Sequence, residues 1–185
     1  GGIIVPPEQI TLNGNGEANV AAVPLRNVSG TNTWQGIVQL NSNRTGIVTD
    51  AGSTLVLSGV VSGNSFNKIG AGTMQFAGIG ANNYANNQLS IIWQGVLELN
   101  KTGVNAINSQ LAIGDYVGAP GADVLRLLQS NQMADNGNPT LRINSTGLFD
   151  LNNNSETFAP GATVNSLELW IGAQSSSAIT TGTGT

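Results

Sequence analysis

The sequence predicts an all-β chain: a parallel β-solenoid (β-helix) of short strands with no large helices. Three observations carry that prediction. Apolar residues recur in short alternating bursts along the whole chain, and glycine, asparagine, aspartate or serine brackets nearly every burst. Two bursts also sit in matching sequence 19 residues apart, Leu55 to Met74 and Leu57 to Phe76, about one solenoid coil.

The bursts, in order, are Ile10-Thr11-Leu12, Ile37-Val38-Gln39-Leu40, Leu55-Val56-Leu57, Met74-Gln75-Phe76 and Val96-Leu97-Glu98-Leu99. Then come Leu111-Ala112-Ile113, Leu125-Arg126-Leu127, Leu141-Arg142-Ile143, Leu148-Phe149-Asp150-Leu151 and Leu167-Glu168-Leu169. Each sends apolar side chains one way and a polar one the other, the period of a half-buried strand. An antiparallel sandwich is the other natural home for such pieces. These strands are shorter than a sandwich prefers, and two-residue hairpin signals are few: Asn13-Gly14, Asn15-Gly16 and Asn136-Gly137. "DAGSTLVLSGVVSG" (50–63) and "GAGTMQFAGIG" (70–80) share a small-Gly-(Ser)-Thr lead, an alternating triplet and a small-Gly close. The nearest approach to a helix is "DVLRLLQSNQMA" (123–134), but Leu125 and Leu127 keep the period of two, so a strand is expected over 124–128.

Composition fits a thin apolar column. Only 9% of residues are charged, against about 25% in an ordinary domain. Yet 39% are hydrophobic and spread evenly. Rows of Leu, Ile and Val stacked about 4.8 Å apart fill such a column, while Gly and Asn serve its corners. There is no cysteine and no histidine, which excludes disulfides, the common zinc sites and His-dependent nucleophile triads. Arg26, Arg44, Lys68, Lys101, Arg126 and Arg142 stand singly in a chain of net charge −4, which gives no nucleic-acid footprint. No apolar run approaches the roughly 20 residues of a membrane span. The chain opens at Gly-Gly without methionine, so a removed upstream segment is compatible with it.

At "KIGAGTMQFAGIGANNYANNQLSIIWQGVLELNK" (68–101) the chain resembles the autotransporter-associated β-strand repeat. That repeat reads K-x-G-x-G-T, a strand, N-x-Y, a second strand, then G-x-L-x-L. Lys68, Gly70, Gly72, Thr73, Asn82 or Asn83, Tyr84, Gly95, Leu97 and Leu99 fill those places. Similar context runs from about residue 10 onward. Ile91-Ile92-Trp93-Gln94 departs from the pattern, where the family more often has Thr-Val and small residues. The resemblance implies a right-handed parallel β-helix in a secreted bacterial passenger domain, outside the cell. It brings no catalytic site.

Candidate sites were weighed against plainer readings. Lys68 with Gly70 and Gly72 is no phosphate loop, because the lysine precedes the glycines and a strand follows; it reads as a structural corner. "GNGEANV" (14–20) lacks the βαβ unit of a dinucleotide fingerprint. Asp115 and Asp123, flanking "YVGAPGA", are the nearest thing to the paired acids of glycoside hydrolysis. Their simpler reading is two solvated turn caps. Among the aromatics Trp34, Trp93, Trp170, Tyr84 and Tyr116, corner or core packing competes with display to a partner. The five N-x-[ST] sequons, at Asn27, Asn43, Asn100, Asn144 and Asn153, are expected by chance in so asparagine-rich a chain. No cofactor or metal is implied.

The expected organisation is one solenoid domain, 1–185, with a repeat core over about 10–175 and end segments 1–9 and 176–185. The tail "TTGTGT" repeats the lead that elsewhere introduces a strand, and Ile3-Ile4-Val5 reads as a strand without a lead. An assembly interface is therefore expected at Gly1, Gly2, Ile3, Ile4, Val5, Thr181, Gly182, Thr183, Gly184 and Thr185. The functional expectation is a non-enzymatic extracellular subunit, a homo-oligomer stacking head to tail into a surface fibre, or part of an adhesin passenger. A surface glycan or host-cell ligand is a candidate partner. The alternative is a carbohydrate-active β-helix enzyme or a glycan-binding module.

Overall fold

The computed structural model describes residues 2–15, 23–84, 88–135, 140–158, 167–170 and 178–182, and among these there is no helix. The chain winds in coils of three sides. The first coil is β1 (Ile4–Val5), β2 (Ile10–Leu12) and β3 (Leu25–Asn27); the second is β4 (Thr31–Trp34), β5 (Val38–Leu40) and β6 (Thr45–Thr49). Next come β7 (Thr54–Leu57), β8 (Val61–Gly63) and β9 (Phe66–Ile69), then β10 (Thr73–Gly78), β11 (Asn83–Tyr84) and β12 (Leu89–Ile92). Beyond them the second side thins to an isolated parallel bridge between Ile107 and Met133. The other two sides continue as β13 (Gly95–Lys101), β14 (Gln110–Ile113), β15 (Asp123–Leu127), β16 (Leu141–Ile143), β17 (Gly147–Asp150), β18 (Leu167–Leu169) and β19 (Ala178–Thr180).

Each strand pairs in parallel with its counterparts one coil before and after. The result is three sheets: eight strands from β1 to β19, four from β2 to β11, and seven from β3 to β18. The fold is therefore a parallel β-solenoid, as the sequence predicts.

Register turns the sequence bursts into core rows. On the first side, Leu55, Met74, Leu97, Leu125 and Phe149 stack in line, each at most 6% exposed. Leu57, Phe76, Leu99 and Leu127 form the row beside them, all at 0%. On the third side Ile47, Lys68, Ile92, Ile113 and Ile143 share one row. The rings of Phe76 and Tyr84 meet Phe66 edge-on, at 5.4 and 5.7 Å between centroids, and so tie the three sides together. Burying each of the aliphatic and phenylalanine side chains in these rows contributes roughly 1.5–3 kcal/mol.

The match at 19 residues is confirmed as register: Leu55 pairs with Met74 and Leu57 with Phe76. Nineteen residues is not a fixed coil length, however, because Gly95 pairs with Asp123, 28 residues on. The extra residues lie in corners. The third-to-first corner is residues 70–72 after β9 and 93–94 after β12, but residues 114–122 after β14.

One reading is corrected: Asp123 is not a solvated cap, since it opens β15 and is 1% exposed. Lys68 itself lies near the end of β9, fully buried, on an inward row between two isoleucines, and serves the corner that follows from there. The strand expected over 124–128 forms as β15, one residue earlier at each end. Trp93 is half-buried on the outer face. Most of "GNGEANV", the Asn136-Gly137 pair, and Gly1, Thr183, Gly184 and Thr185 lie outside the described residues.

Candidate functional site

The repeat-motif residues build corners and column. Gly70 and Gly95 take positive φ, +81° and +71°, and sit so close to the coil before that a Cβ on Gly95 would lie 2.6 Å from Gly72 O. Gly72 is constrained by close approach alone; a Cβ there would strike the Asp50 carbonyl. Thr73 opens β10. Leu97 and Leu99 are inward, and the Tyr84 hydroxyl donates to Ala106 O at 2.8 Å inside the column.

Lys68 holds its corner together. Its Nζ donates to the carbonyls of Ile69, Gly70 and Gln94, so all three ammonium hydrogens find oxygens of two successive corners. Burial lowers its pKa to about 7, and the Asp123 charge partly offsets that. Burial likewise pushes the Asp123 carboxyl up to about 6. The Thr146 hydroxyl faces that carboxyl and opposes the rise, yet neither Asp123 Oδ2 nor Thr146 Oγ1 completes a hydrogen bond. Lys101 plays a related part at another corner: its Nζ donates to Gly59 O at 2.8 Å, and burial lowers its pKa to about 8.

The long corner 114–122 creates a concave site on the outer face of the third sheet. Its cavity is about 400 Å³. The floor is Leu89, Ile91 and Ala112, which alternation turns outward from β12 and β14. Trp93 stands at one end. Tyr116 and Val117 overhang from the corner, 53% and 70% exposed. Arg142, Asn144 and Asp115 complete the lining. Trp93, Gly114, Asn144 and Trp170 each donate their backbone N–H to the coil before, so they occupy one row.

Several features hold the walls in place. Tyr116 has φ +69°, a conformation that disfavours side chains, and its hydroxyl donates to Asn144 Oδ1 at 2.9 Å. Asn144 Nδ2 donates in turn to Gly114 O. Asp115 Oδ1 accepts from Val117 N at 2.8 Å. The Arg142 guanidinium lies 4.2 Å over the Trp170 ring, and its Nε donates to Glu168 Oε2 at 3.2 Å. The Trp93 indole Nε1 is buried without a hydrogen-bond acceptor.

The structure brings Asp115 near Asp123 but does not make them a facing pair. Asp123 is buried and does not line the cavity, while Asp115 caps its own turn. Trp34 and Tyr84 serve the column, and Trp34 Nε1 donates to Glu8 O. Among the described residues, no group of three acids forms a cation site. Sequence reading singled out Asp115, Tyr116 and Trp93 but did not assemble them with Arg142 and Asn144. The available signal was the Gly- and Pro-rich "YVGAPGA" excursion at a corner that is otherwise a few residues long.

Of the end segments, Ile3 and Ile4 are 65% and 66% exposed. Thr181 O accepts from Asn153 N at 2.9 Å, and Gly182 packs on Asn153, so that part of the tail lies against its own coil. Comparison of the chain with protein-family models, curated proteins and solved structures finds no match.

Proposed function

We propose that this chain is a structural, non-catalytic extracellular β-solenoid whose coils are extended by further coils, copy upon copy in a surface fibre or within a longer adhesin passenger. One observation carries the stacking: the core rows reach the last described coil uncovered. Leu169 continues the row of Ile113 and Ile143, and Leu167 that of Leu111 and Leu141. Those four predecessors are 0% exposed, but Leu169 is 55% exposed and Leu167 37%. Ile179 continues the row of Leu125 and Phe149 at 41%. Inward-row side chains left open in this way can accept a further coil, from the same chain or from a neighbour. Heterologous contacts of this kind propagate rather than close.

The extracellular, bacterial reading is supported by the repeat resemblance and by a cysteine-free, hydroxyl- and amide-rich composition. The non-catalytic reading is supported by the separate environments of Asp115 and Asp123. Negative-stain microscopy of the purified chain tests the stacking. Thin unbranched fibres one solenoid wide are expected, and a monodisperse monomer at high concentration would overturn the copy-upon-copy form.

A further inference from the structure

We propose that the groove under corner 114–122 is a binding site for an uncharged sugar ring of a glycan. It is independent of the stacking reading, since it lies on the lateral face and not at a coil end.

Three separate features converge there. The cavity of about 400 Å³ matches a ring-sized ligand. Its walls combine aromatic faces with hydrogen-bonding groups, as a pyranose requires: C–H faces pack on rings, and hydroxyls seek polar partners. And Tyr116 is held at φ +69° with its ring half out in solvent, a strained conformation kept by the hydroxyl contact to Asn144. A packing role alone does not call for a strained, exposed ring.

The row geometry sets the slot. Trp93 and Trp170 stand three coils apart, about 14 Å at the usual strand spacing. Gly114 and Asn144 occupy the positions between, so the middle of the row is low on the Gly114 side. The Trp170 end is covered by the Arg142 guanidinium, which makes that wall flat and polar. One sugar ring seated against Trp93, under Tyr116, places its hydroxyls toward Arg142 and the outer oxygen of Asp115.

Charge decides the ligand class. Glu168 already pairs with Arg142, and Asp115 adds a carboxylate to the lining. The whole chain carries −4. Among the described residues, the one cation lining the cavity, Arg142, is already paired with Glu168, so the site favours neutral rings over acidic ones.

The test is a printed array of neutral and sialylated or uronate-bearing oligosaccharides probed with the full chain, followed by calorimetric titration of the best neutral hit. Neutral glycans should be retained and acidic ones not. Tyr116→Ala, on an exposed corner, should weaken the titrated affinity at least about tenfold. Trp93→Ala removes the aromatic wall at one end of the cavity and should weaken binding several-fold. No neutral glycan retained, retention of acidic glycans only, or affinity unchanged in Tyr116→Ala with its fold intact by circular dichroism would each overturn the assignment. A folded Trp93→Ala that binds as tightly as the parent would overturn the role given to that ring.

Discussion

Lys68 makes the stability of the column depend on pH in a direction that can be worked out. An unfolded lysine titrates near 10.5, and the buried one near 7. Between those values the unfolded chain holds a proton that the native chain lacks, so stability rises with pH. The burial cost is fully expressed below pH 7 and is relieved toward pH 10.5. For one proton the slope is about 1.4 kcal/mol per pH unit, or about 3 kcal/mol between pH 8 and 10. The charged group facing Lys68, Asp123, titrates near 6 and stays ionised throughout this window. Lys101 titrates in the same window, near 8, so the comparison is with Lys68→Met, in which Lys101 is unchanged. That variant also leaves the Ile69, Gly70 and Gln94 carbonyls without their donor, a cost that is constant across pH 8–10, where the native amine is already neutral. Urea unfolding of both proteins at pH 8, 9 and 10 is the assay. The parent should gain on the variant by about 3 kcal/mol across the series. A difference constant to within about 0.5 kcal/mol would show that the three carbonyls keep the ammonium charged, and would refute the reasoning.

Three further predictions follow from the same geometry. Gly95→Ala places a methyl 2.6 Å from Gly72 O and 2.7 Å from Gly70 O at φ +71°, and should cost about 1–3 kcal/mol or more in a thermal melt. Leu97→Ala, in the middle of a covered row, should cost about 2–5 kcal/mol by urea midpoint, whereas Leu169→Ala at the open end should cost under about 1 kcal/mol in dilute monomer. Tyr84→Phe should cost about 1 kcal/mol, because Ala106 O loses the hydroxyl but keeps its bond from Asn82 Nδ2.

The solenoid was legible because its first side is regular. Leu55, Met74, Leu97 and Leu125 fall on one row with alternating neighbours, and a period of two is all that a strand needs to announce itself. The third side was half hidden. β6 and β9 place Thr45, Lys68 and Asn67 at buried positions, so no apolar alternation marks them. A buried lysine looks like a solvated one in sequence, since its partners are backbone carbonyls, which carry no letter. Asp123 is hidden in the sequence for the same reason: the groups around it come from the preceding corner and from other coils, Asp115 and Thr146 among them. The groove was legible only as an odd corner. Trp93, Tyr116 and Arg142 are separated by 23 and 26 residues, and only coil register places them around one cavity.

Stacking is tested most directly by imaging the purified chain beside Leu169→Asp, which puts a carboxylate on the uncovered end of a core row. Negative-stain micrographs should show thin fibres for the parent and dispersed particles for the variant, with equal β-sheet content by circular dichroism. Monomers from both, or fibres of equal length from both, would contradict extension through the open rows of Leu167, Leu169 and Ile179.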